Sequence, residues 1–190
     1  MSLSRGFITK WLSKIDISNK NCLDIGAGPP DKWAKNFTHG TPGKYITVDY
    51  NNNADYKIDL NIPIKSIPDD IVKKNQVTFC IECLEHLWNP VEAINNISKM
   101  TKEVCYITTP FINPIHDTWD YLRFTNEWFE KVMPMFGFKK IMFEPRNATK
   151  GSSLLNKFYQ TEGLRMSKIR YKNGEGHKLN LIGNLITAYK

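Results

Sequence analysis

Short apolar runs that alternate with helical segments constrain the fold of this chain more than any other feature. Such runs occur at 22–25, 45–49, 77–81 and 104–108, with a shorter one at 56–59. Strands that alternate with helices predict a mostly parallel sheet that is covered by helices on both faces. In a sheet of this kind, ligands bind at the carboxyl ends of the strands.

The second half of the chain adds three further segments to this pattern. They are a helix from Thr125 to about Met135, a sixth strand at Gly137–Phe143 and a last strand at 180–189. Between the last two strands, residues 144–179 are polar and basic with little periodicity, which predicts a long excursion or a mobile lid. We expect one domain over residues 1–190, with its core at about 20–143.

Composition excludes several classes of protein. The chain has 190 residues, of which 41% are hydrophobic, and it contains no run near the roughly 20 apolar residues that a membrane span requires. The N-terminus lacks the apolar region of a signal peptide. The four cysteines lie in or beside apolar runs, which predicts free, buried thiols in a reducing compartment. A cytoplasmic enzyme is the simplest interpretation.

The positive charge is concentrated at one end of the chain. The net charge is +7, yet residues 1–138 carry 15 Lys+Arg against 16 Asp+Glu, and residues 139–190 carry 11 against 3. A basic segment beside a neutral body suggests an anionic partner, such as nucleic acid, a phosphorylated small molecule or a membrane surface. A solvated basic face that only aids solubility is the alternative.

A tight glycine turn follows the first predicted strand. Its glycines are Gly26 and Gly28, and Asp24 lies two residues before the first of them. Glycine lets backbone amides approach a ligand closely, because it has no Cβ. The spacing differs from the G-x-G-x-x-G of dinucleotide enzymes, and a carboxylate at Asp24 disfavours a bound pyrophosphate.

The segment 23–28, Leu-Asp-Ile-Gly-Ala-Gly, resembles the first motif of class I S-adenosyl-L-methionine (SAM)-dependent methyltransferases. The resemblance implies a Rossmann-like class I methyltransferase fold, with a mostly parallel seven-stranded sheet and helices on both faces. It also implies SAM as cofactor. The cofactor-binding residues that it implies are Asp24, Gly26, Ala27, Gly28, Asp49, Tyr50, Asp59, Leu60 and Ile81.

Asp49 has a separate physical argument, and Asp59 is assigned by the resemblance. Asp49 ends the second predicted strand, where a carboxylate can accept hydrogen bonds from both hydroxyls of a ribose. Asp59 follows the third strand, and in the resembling family this position accepts from the exocyclic amine of adenine. Three acids at three strand ends, with Asp24 as the third, form a more specific signal than any one of them.

The segment 82–90 is similar to the E-x-L-E-H-x-x-x-P of a large methyltransferase subfamily. It brings Glu82, Glu85 and His86 within one helical turn, a set of ligands that a divalent cation can use. Some members of the subfamily depend on metal through this segment. Many others use the same residues to cap the helix and shape the pocket, and this second interpretation is preferred.

Residues 120–125 resemble the D-Y-x-R-F-T segment of methyltransferases that act on sugars and other small polar acceptors. Polar groups on this loop lie at the substrate edge of the predicted sheet, so His116 and Asp120 are candidate catalytic bases and Trp119 is expected near the acceptor. In a purely structural interpretation, Arg123 pairs with a nearby acid, Phe124 enters the core and Thr125 caps the next helix.

The sequence therefore predicts a SAM-dependent methyltransferase that acts at oxygen or nitrogen of a small polar acceptor, such as a sugar, a nucleotide-sugar or a related metabolite. The alternative is an RNA methyltransferase that uses the basic C-terminal region, although no RNA-binding module is recognisable. A third class comprises a non-catalytic cofactor-binding protein and an NAD(P)-linked enzyme on a similar sheet.

Overall fold

The computed structural model describes residues 3–27, 33–51, 53–65, 67–111, 118–146 and 183–190. Seven strands are present: β1 Asn21–Ile25, β2 Lys44–Asp49, β3 Tyr56–Lys57, β4 Asn75–Ile81, β5 Thr101–Pro110, β6 Lys140–Arg146 and β7 Gly183–Tyr189. The helices are α1 Leu3–Leu12, α2 Trp33–Phe37, α3 Pro90–Met100 and α4 Asn126–Val132, and 3₁₀ turns occur at Leu84–His86 and Met133–Phe136.

All seven strands form one sheet in the order β3-β2-β1-β4-β5-β7-β6. The strands from β1 to β5 pair in parallel, and β7 runs antiparallel between β5 and β6. The predicted, mostly parallel seven-stranded sheet is confirmed. The carboxyl ends of β1 to β5 consequently lie along one edge.

Two apolar clusters cover the two faces of the sheet, and successive residues of a strand alternate between them. Leu23 and Ile25 of β1 belong to the larger cluster, which includes buried residues of α3 and α4. Cys22, which precedes Leu23 in β1 and points to the opposite face, belongs to the smaller cluster with α1. This alternation decides which β1 side chains can reach a ligand.

Local capping explains where α3 and α4 begin. Asn89 caps α3, since its side chain accepts from the backbone N–H of Glu92, and Pro90 occupies the first turn, where a missing N–H costs nothing. Thr125 caps α4 in the same way through the N–H of Trp128. The α3 bounds agree with the sequence prediction of about 90–100.

The predicted helix to about Met135 is too long. The α-helix ends at Val132, and Pro134 lies in the 3₁₀ turn that follows, which ends at Gly137 with a φ of 85°. Proline cannot donate the hydrogen bond that an α-helix needs there. The sixth strand lies three residues later than predicted and continues to Arg146.

The last strand lies within the predicted range 180–189. Strand β6 occupies 144–146, the first part of the predicted excursion. Residues 147–179, which carry most of the basic residues of the C-terminal region, lie outside the described residues. The single-domain organisation stays a prediction. Within the described ranges, no helix combines the length and the apolar character that crossing a membrane requires.

Candidate active site

The glycine turn after β1 is held tightly between two neighbours. The N–H of Gly26 donates to the carbonyl of Val48 at 2.8 Å, which ties the turn to β2. Gly26 has a φ of 68°, a conformation that L residues rarely adopt, and a Cβ there would lie 2.4 Å from the Cys83 Sγ. Only glycine fits this turn without strain.

Beside this turn a cavity of about 530 Å³ opens at the carboxyl edge of the sheet. Its lining comes from the residues that follow β1, β2, β3 and β4, and from the loop before α4. This is the edge at which parallel α/β sheets bind ligands. The cavity volume falls within the range of about 300–1,000 Å³ that is typical of small-molecule sites.

The structure brings five of the nine predicted cofactor residues to this cavity. They are Gly26, Asp49, Tyr50, Asp59 and Leu60. Ala27 is described but is not part of the lining, and Gly28 lies outside the described residues.

Ile81 and Asp24 also lie away from the cavity. The side chain of Ile81 packs against the smaller apolar cluster, on the α1 face of the sheet. Asp24 directly precedes Ile25, which lines the cavity, so the alternation of the strand turns the Asp24 side chain to the other face.

Asp24 joins β1 to β2 through a buried hydrogen bond. The side chain is 3% exposed, and its Oδ2 accepts from the Tyr45 hydroxyl at 2.6 Å. Burial, and then the Asp24 charge, raise the pKa of the Tyr45 phenol. Of the three predicted acids, Asp49 and Asp59 thus line the cavity, and Asp24 bonds to Tyr45 within the sheet.

Asp49 and Asp59 share one local geometry. The Asp49 Oδ1 accepts from the backbone N–H of Asn51 at 2.9 Å, and the Asp59 Oδ1 accepts from the backbone N–H and the side-chain amide of Asn61, at 2.9 and 3.0 Å. Each is an Asx-type turn, in which the carboxylate bonds two residues along the chain. These turns orient both carboxylates at the strand ends.

Asn61, which lines the cavity, and its partner Asn89 were missed by the sequence analysis. The N–H of Asn89 donates to the Asn61 Oδ1 at 3.1 Å, and the Asn89 side-chain amide donates to the Asn61 carbonyl at 3.0 Å. The start of α3 is thereby fixed to the turn at Asp59. The spacing Asp59-x-Asn61 is a turn signal that could have indicated the first half of this network.

Glu82 holds an unusual backbone conformation at the end of β4. Its φ is 48°, which is strained for a residue with a Cβ and is often found at functional sites. Its N–H donates to the carbonyl and the hydroxyl of Thr108 at 3.1 and 3.0 Å, and the Thr108 hydroxyl contacts the Glu82 Oε1 at 2.9 Å. These contacts hold Glu82 at the cavity.

His86 and Glu85 differ in position although they are adjacent. His86 lines the cavity, and its Nδ1 lies 3.2 Å from the Trp119 carbonyl, which can only accept, so Nδ1 is the donor. The Glu85 side chain is 0% exposed and does not belong to the lining. Its Oε1 lies 3.8 Å from the His86 Nε2.

The three predicted metal ligands do not fit a divalent cation. Only Glu82 and His86 face the cavity, and the Glu82 Oε1 is engaged with Thr108. Among the residues that the structure describes, no three His, Cys, Asp or Glu side chains form a group that could hold a metal ion. The metal interpretation of this segment has no support in the geometry.

Asp120 is held by Arg123 and does not line the cavity. The Asp120 side chain is 0% exposed, and both of its oxygens accept from the Arg123 guanidinium, with the Oδ2 at 2.7 Å. This contact raises the pKa of Arg123. A carboxylate engaged through both oxygens is poorly placed to act as a base on a ligand. The other candidate base, His116, lies outside the described residues.

The remaining residues of this segment follow the structural interpretation. Phe124 is buried in the larger apolar cluster, and Thr125 caps α4. Besides Tyr50, three aromatic side chains line the cavity: Trp88, Trp119 and Tyr121. We call these three the aromatic rim. Their exposed fractions are 60%, 59% and 50%, which is high for large apolar groups and typical of a ligand surface.

No protein-family model and no curated protein sequence matches the chain. Solved structures do match it. Phosphoethanolamine N-methyltransferase 2 of Haemonchus contortus, solved with SAM, is 13% identical with a TM-score of 0.57, and the match covers 98% of this chain and 52% of that chain. The present chain therefore spans about half the length of that methyltransferase.

Two other matches cover more of the partner structure. A chain from the complex of the Haloferax volcanii Trm112 methyltransferase activator with a methyltransferase is 11% identical, with a TM-score of 0.61 and coverage of 98% and 92%. The cyclase SpnF is 13% identical, with a TM-score of 0.60 and coverage of 98% and 80%. The chain has the class I SAM-dependent methyltransferase fold. Because a cyclase shares it, the reaction must be argued from the site.

Proposed function

We propose that this chain is a SAM-dependent methyltransferase that acts at oxygen or nitrogen of a small polar acceptor, such as a sugar or a related metabolite. One observation carries the proposal. Asp49, Asp59 and the Gly26 turn open into a single cavity at the carboxyl edge of a class I methyltransferase sheet. The acceptor would enter the same cavity from the side of the aromatic rim.

The chain's own groups fit the cofactor. Gly26 lines the cavity and carries no side chain, so a ligand can approach the backbone of the turn. Asp49 supplies carboxylate oxygens that can accept from both ribose hydroxyls. Asp59 and Leu60 offer an acceptor and an apolar contact for the adenine. When bound, SAM supplies an activated methyl group.

The protein's part in the reaction is mainly to position the acceptor and to exclude water. Glu82 and His86 lie where β4 ends, beside the aromatic rim. Both offer polar atoms to an acceptor hydroxyl or amine. Neither Asp120, which pairs with Arg123, nor a metal is needed for this role.

The RNA alternative has less support. The basic region that motivates it lies mostly at 147–182, outside the described residues. The cavity lining contains three carboxylates, from Asp49, Asp59 and Glu82, and no lysine or arginine within the described part of the chain. Such a lining is unfavourable for phosphate groups.

Asp49→Ala tests the cofactor site by isothermal titration with SAM. We expect binding to weaken by roughly 1.5–3 kcal/mol, the scale for losing hydrogen bonds to a charged group. The control is Asp16→Ala, which removes an exposed carboxylate from the α1 side and should leave the dissociation constant unchanged. An unchanged constant in Asp49→Ala would mean that the ribose contact is misassigned.

The same titration with NAD tests the function as a whole. Tight NAD binding without SAM binding would replace the methyltransferase by an NAD-linked enzyme. Methyl transfer is then measured with labelled SAM and a panel of glycosides, amines and phenols. SAM binding without transfer to any member would favour a non-catalytic cofactor-binding protein.

A further inference from the structure

The two ends of the cavity differ in which groups they offer. Asp49 and Asp59 follow β2 and β3, at one end of the strand order. Glu82 and His86 follow β4, on the side of β5, and the loop of Trp119 and Tyr121 lies against them. If the first end holds the cofactor, as the proposed function states, the second end holds the acceptor.

The loop that carries Trp119 and Tyr121 is fixed through its backbone. The Trp119 carbonyl contacts His86, and the Glu85 carbonyl accepts from the N–H groups of Tyr121 and Leu122 at 3.0 and 3.2 Å. Asp120 and Arg123, both within this loop, form an ion pair. The backbone at Trp119 and Tyr121 is thus fixed beside the turn at Glu85 and His86, while about half of each residue stays exposed.

Aromatic side chains on a fixed backbone lose less conformational freedom when they bind a ligand than the same side chains on a mobile loop. Aromatic faces attract cations through the ring quadrupole, and quaternary ammonium groups are recognised in this way. Glu82 adds a carboxylate to the same end of the cavity. Aromatic rings together with a carboxylate favour a cation over a neutral group of the same shape.

Two described positive groups near the cavity make contacts of their own. Lys57 lies over the ring of Tyr50, 5.7 Å from its centroid, at the cofactor end. Arg123 forms an ion pair with Asp120 within the loop. Of the described residues that line the cavity, none is a lysine or an arginine, so this part of the lining offers a phosphate or sulfate three carboxylates and no lysine or arginine as counter-charge.

We infer that the acceptor subsite, formed by Trp119, Tyr121, Glu82 and Trp88, binds a small molecule through a positively charged amine. This narrows the acceptor class to amino sugars and other amines without a phosphate. For transfer to such an amine, one proton leaves the nitrogen for solvent, a C–N bond forms, and the C–S bond breaks with its electron pair kept by sulfur.

Three probes of related shape test the inference by titration into protein saturated with S-adenosylhomocysteine. Choline carries the cation, 3,3-dimethylbutan-1-ol is its neutral isostere, and phosphocholine adds an anion. We expect choline to bind about tenfold more tightly than the neutral isostere, the scale of a desolvated cation–π contact, and more tightly than phosphocholine. Equal binding of choline and the isostere, or a preference for phosphocholine, would overturn the inference.

Two variants test whether the preference for choline over its neutral isostere depends on Trp119 and Glu82. Trp119→Leu keeps an apolar side chain but removes the ring, and Glu82→Gln removes the charge. Each should weaken choline several-fold and leave the neutral isostere within about twofold. The control is Tyr189→Leu, an exposed aromatic on β7 that pairs with the start of β5, at the opposite edge of the sheet. Equal loss for both probes in Trp119→Leu would contradict the cation role.

The outcomes separate this inference from the proposed function. The wild-type probe comparison needs no variant, so a variant that fails to fold does not affect it. If S-adenosylhomocysteine does not bind, the methyltransferase proposal fails, and the probes can still be compared on the free protein. If it binds and choline shows no preference over the neutral isostere, only the acceptor inference fails.

Discussion

The cofactor end and the acceptor end of the cavity are stabilised in different ways. At the cofactor end, Asp49 and Asp59 bond to groups two residues further along the chain. At the acceptor end, His86 contacts Trp119 across 33 residues and Glu82 contacts Thr108 across 26. The two carboxylates of the cofactor end are oriented by local turns, which Asn61 and Asn89 tie to α3, whereas the side chains of the acceptor end are positioned by contacts between segments that are distant in sequence.

This difference predicts how the two ends respond to substitutions elsewhere in the chain. A cofactor end made of local turns can persist when the rest of the sequence changes. An acceptor end made of long-range contacts between loops can change its shape with few substitutions, which is how one fold serves many substrates.

The largest expected effect is at the Gly26 turn. Gly26→Ala should lower the free energy of unfolding by about 3 kcal/mol, because alanine is strained at positive φ and its Cβ would overlap Cys83. Urea denaturation measures the loss. Gly6→Ala is the matched control: nothing lies within 4 Å of a Cβ there, so this change within α1 should stabilise by about 0.5–1 kcal/mol. Equal effects at the two glycines would remove the argument for a tight turn.

Arg123→Ala tests the acceptor end. We expect a loss of about 2–3 kcal/mol in unfolding free energy, because the buried Asp120 carboxylate loses its bidentate partner while Arg123 itself is only partly buried. SAM affinity should stay within about twofold. Arg123→Lys keeps the charge without the two-pronged geometry and should recover only part of the stability. A large loss of SAM affinity in Arg123→Ala would show that the two ends are not independent.

Tyr45→Phe asks whether Asp24 belongs to the cofactor end. Removing the hydroxyl should cost about 1–2 kcal/mol of stability, since Asp24 loses a buried donor, and SAM affinity should stay unchanged. A drop in SAM affinity like that of Asp49→Ala would return Asp24 to the cofactor site.

The same variant changes the response to alkali. The pKa of Tyr45 is raised above its ordinary value of 10.0 in the folded protein, so above pH 10 the unfolded chain releases a proton that the folded chain retains. The stability that protonated Tyr45 contributes is fully present below pH 10 and is lost as the pH rises above 10. In Tyr45→Phe this alkaline loss should be smaller, as measured by urea midpoints at pH 8 and pH 11.

The smallest expected effect is that of metal removal. Because Glu82, Glu85 and His86 do not converge on one point, treatment with a chelator should leave SAM affinity and methyl transfer unchanged. Loss of either, restored by Mg²⁺ or Mn²⁺, would mean that the acceptor end rearranges around a cation.

The sequence predicted the sheet well because hydrophobic periodicity directly reflects which strands are buried. It predicted α3 closely since Asn89-Pro90 is a local start signal. It overestimated α4 because the apolar pattern continues past Val132 while Pro134 ends the hydrogen bonding. Asp49 and Asp59 line the cavity as predicted positions at strand ends, because strand ends can be placed from the apolar pattern; their contacts with a cofactor stay a prediction.

The motif did not predict the direction in which the Asp24 side chain points. Its place in the motif suggested a ligand contact, but a strand alternates its side chains, and Ile25 takes the cavity side. The partner of the Asp120 side chain could not be predicted from the sequence either. Whether it faces a ligand or Arg123 depends on how the loop folds onto the turn at Glu85 and His86, which no spacing in the sequence specifies.

The sequence by itself determined the alternation of strands and helices, the glycine turn and the two acids at the ends of β2 and β3, because each follows from periodicity or from bonds between near neighbours. Only the tertiary structure decided that Trp119 and Tyr121 stand beside Glu82 and His86. Contacts between residues that are about thirty positions apart depend on the packing of β4, β5 and the loop before α4 together, and packing is a property of the whole sheet.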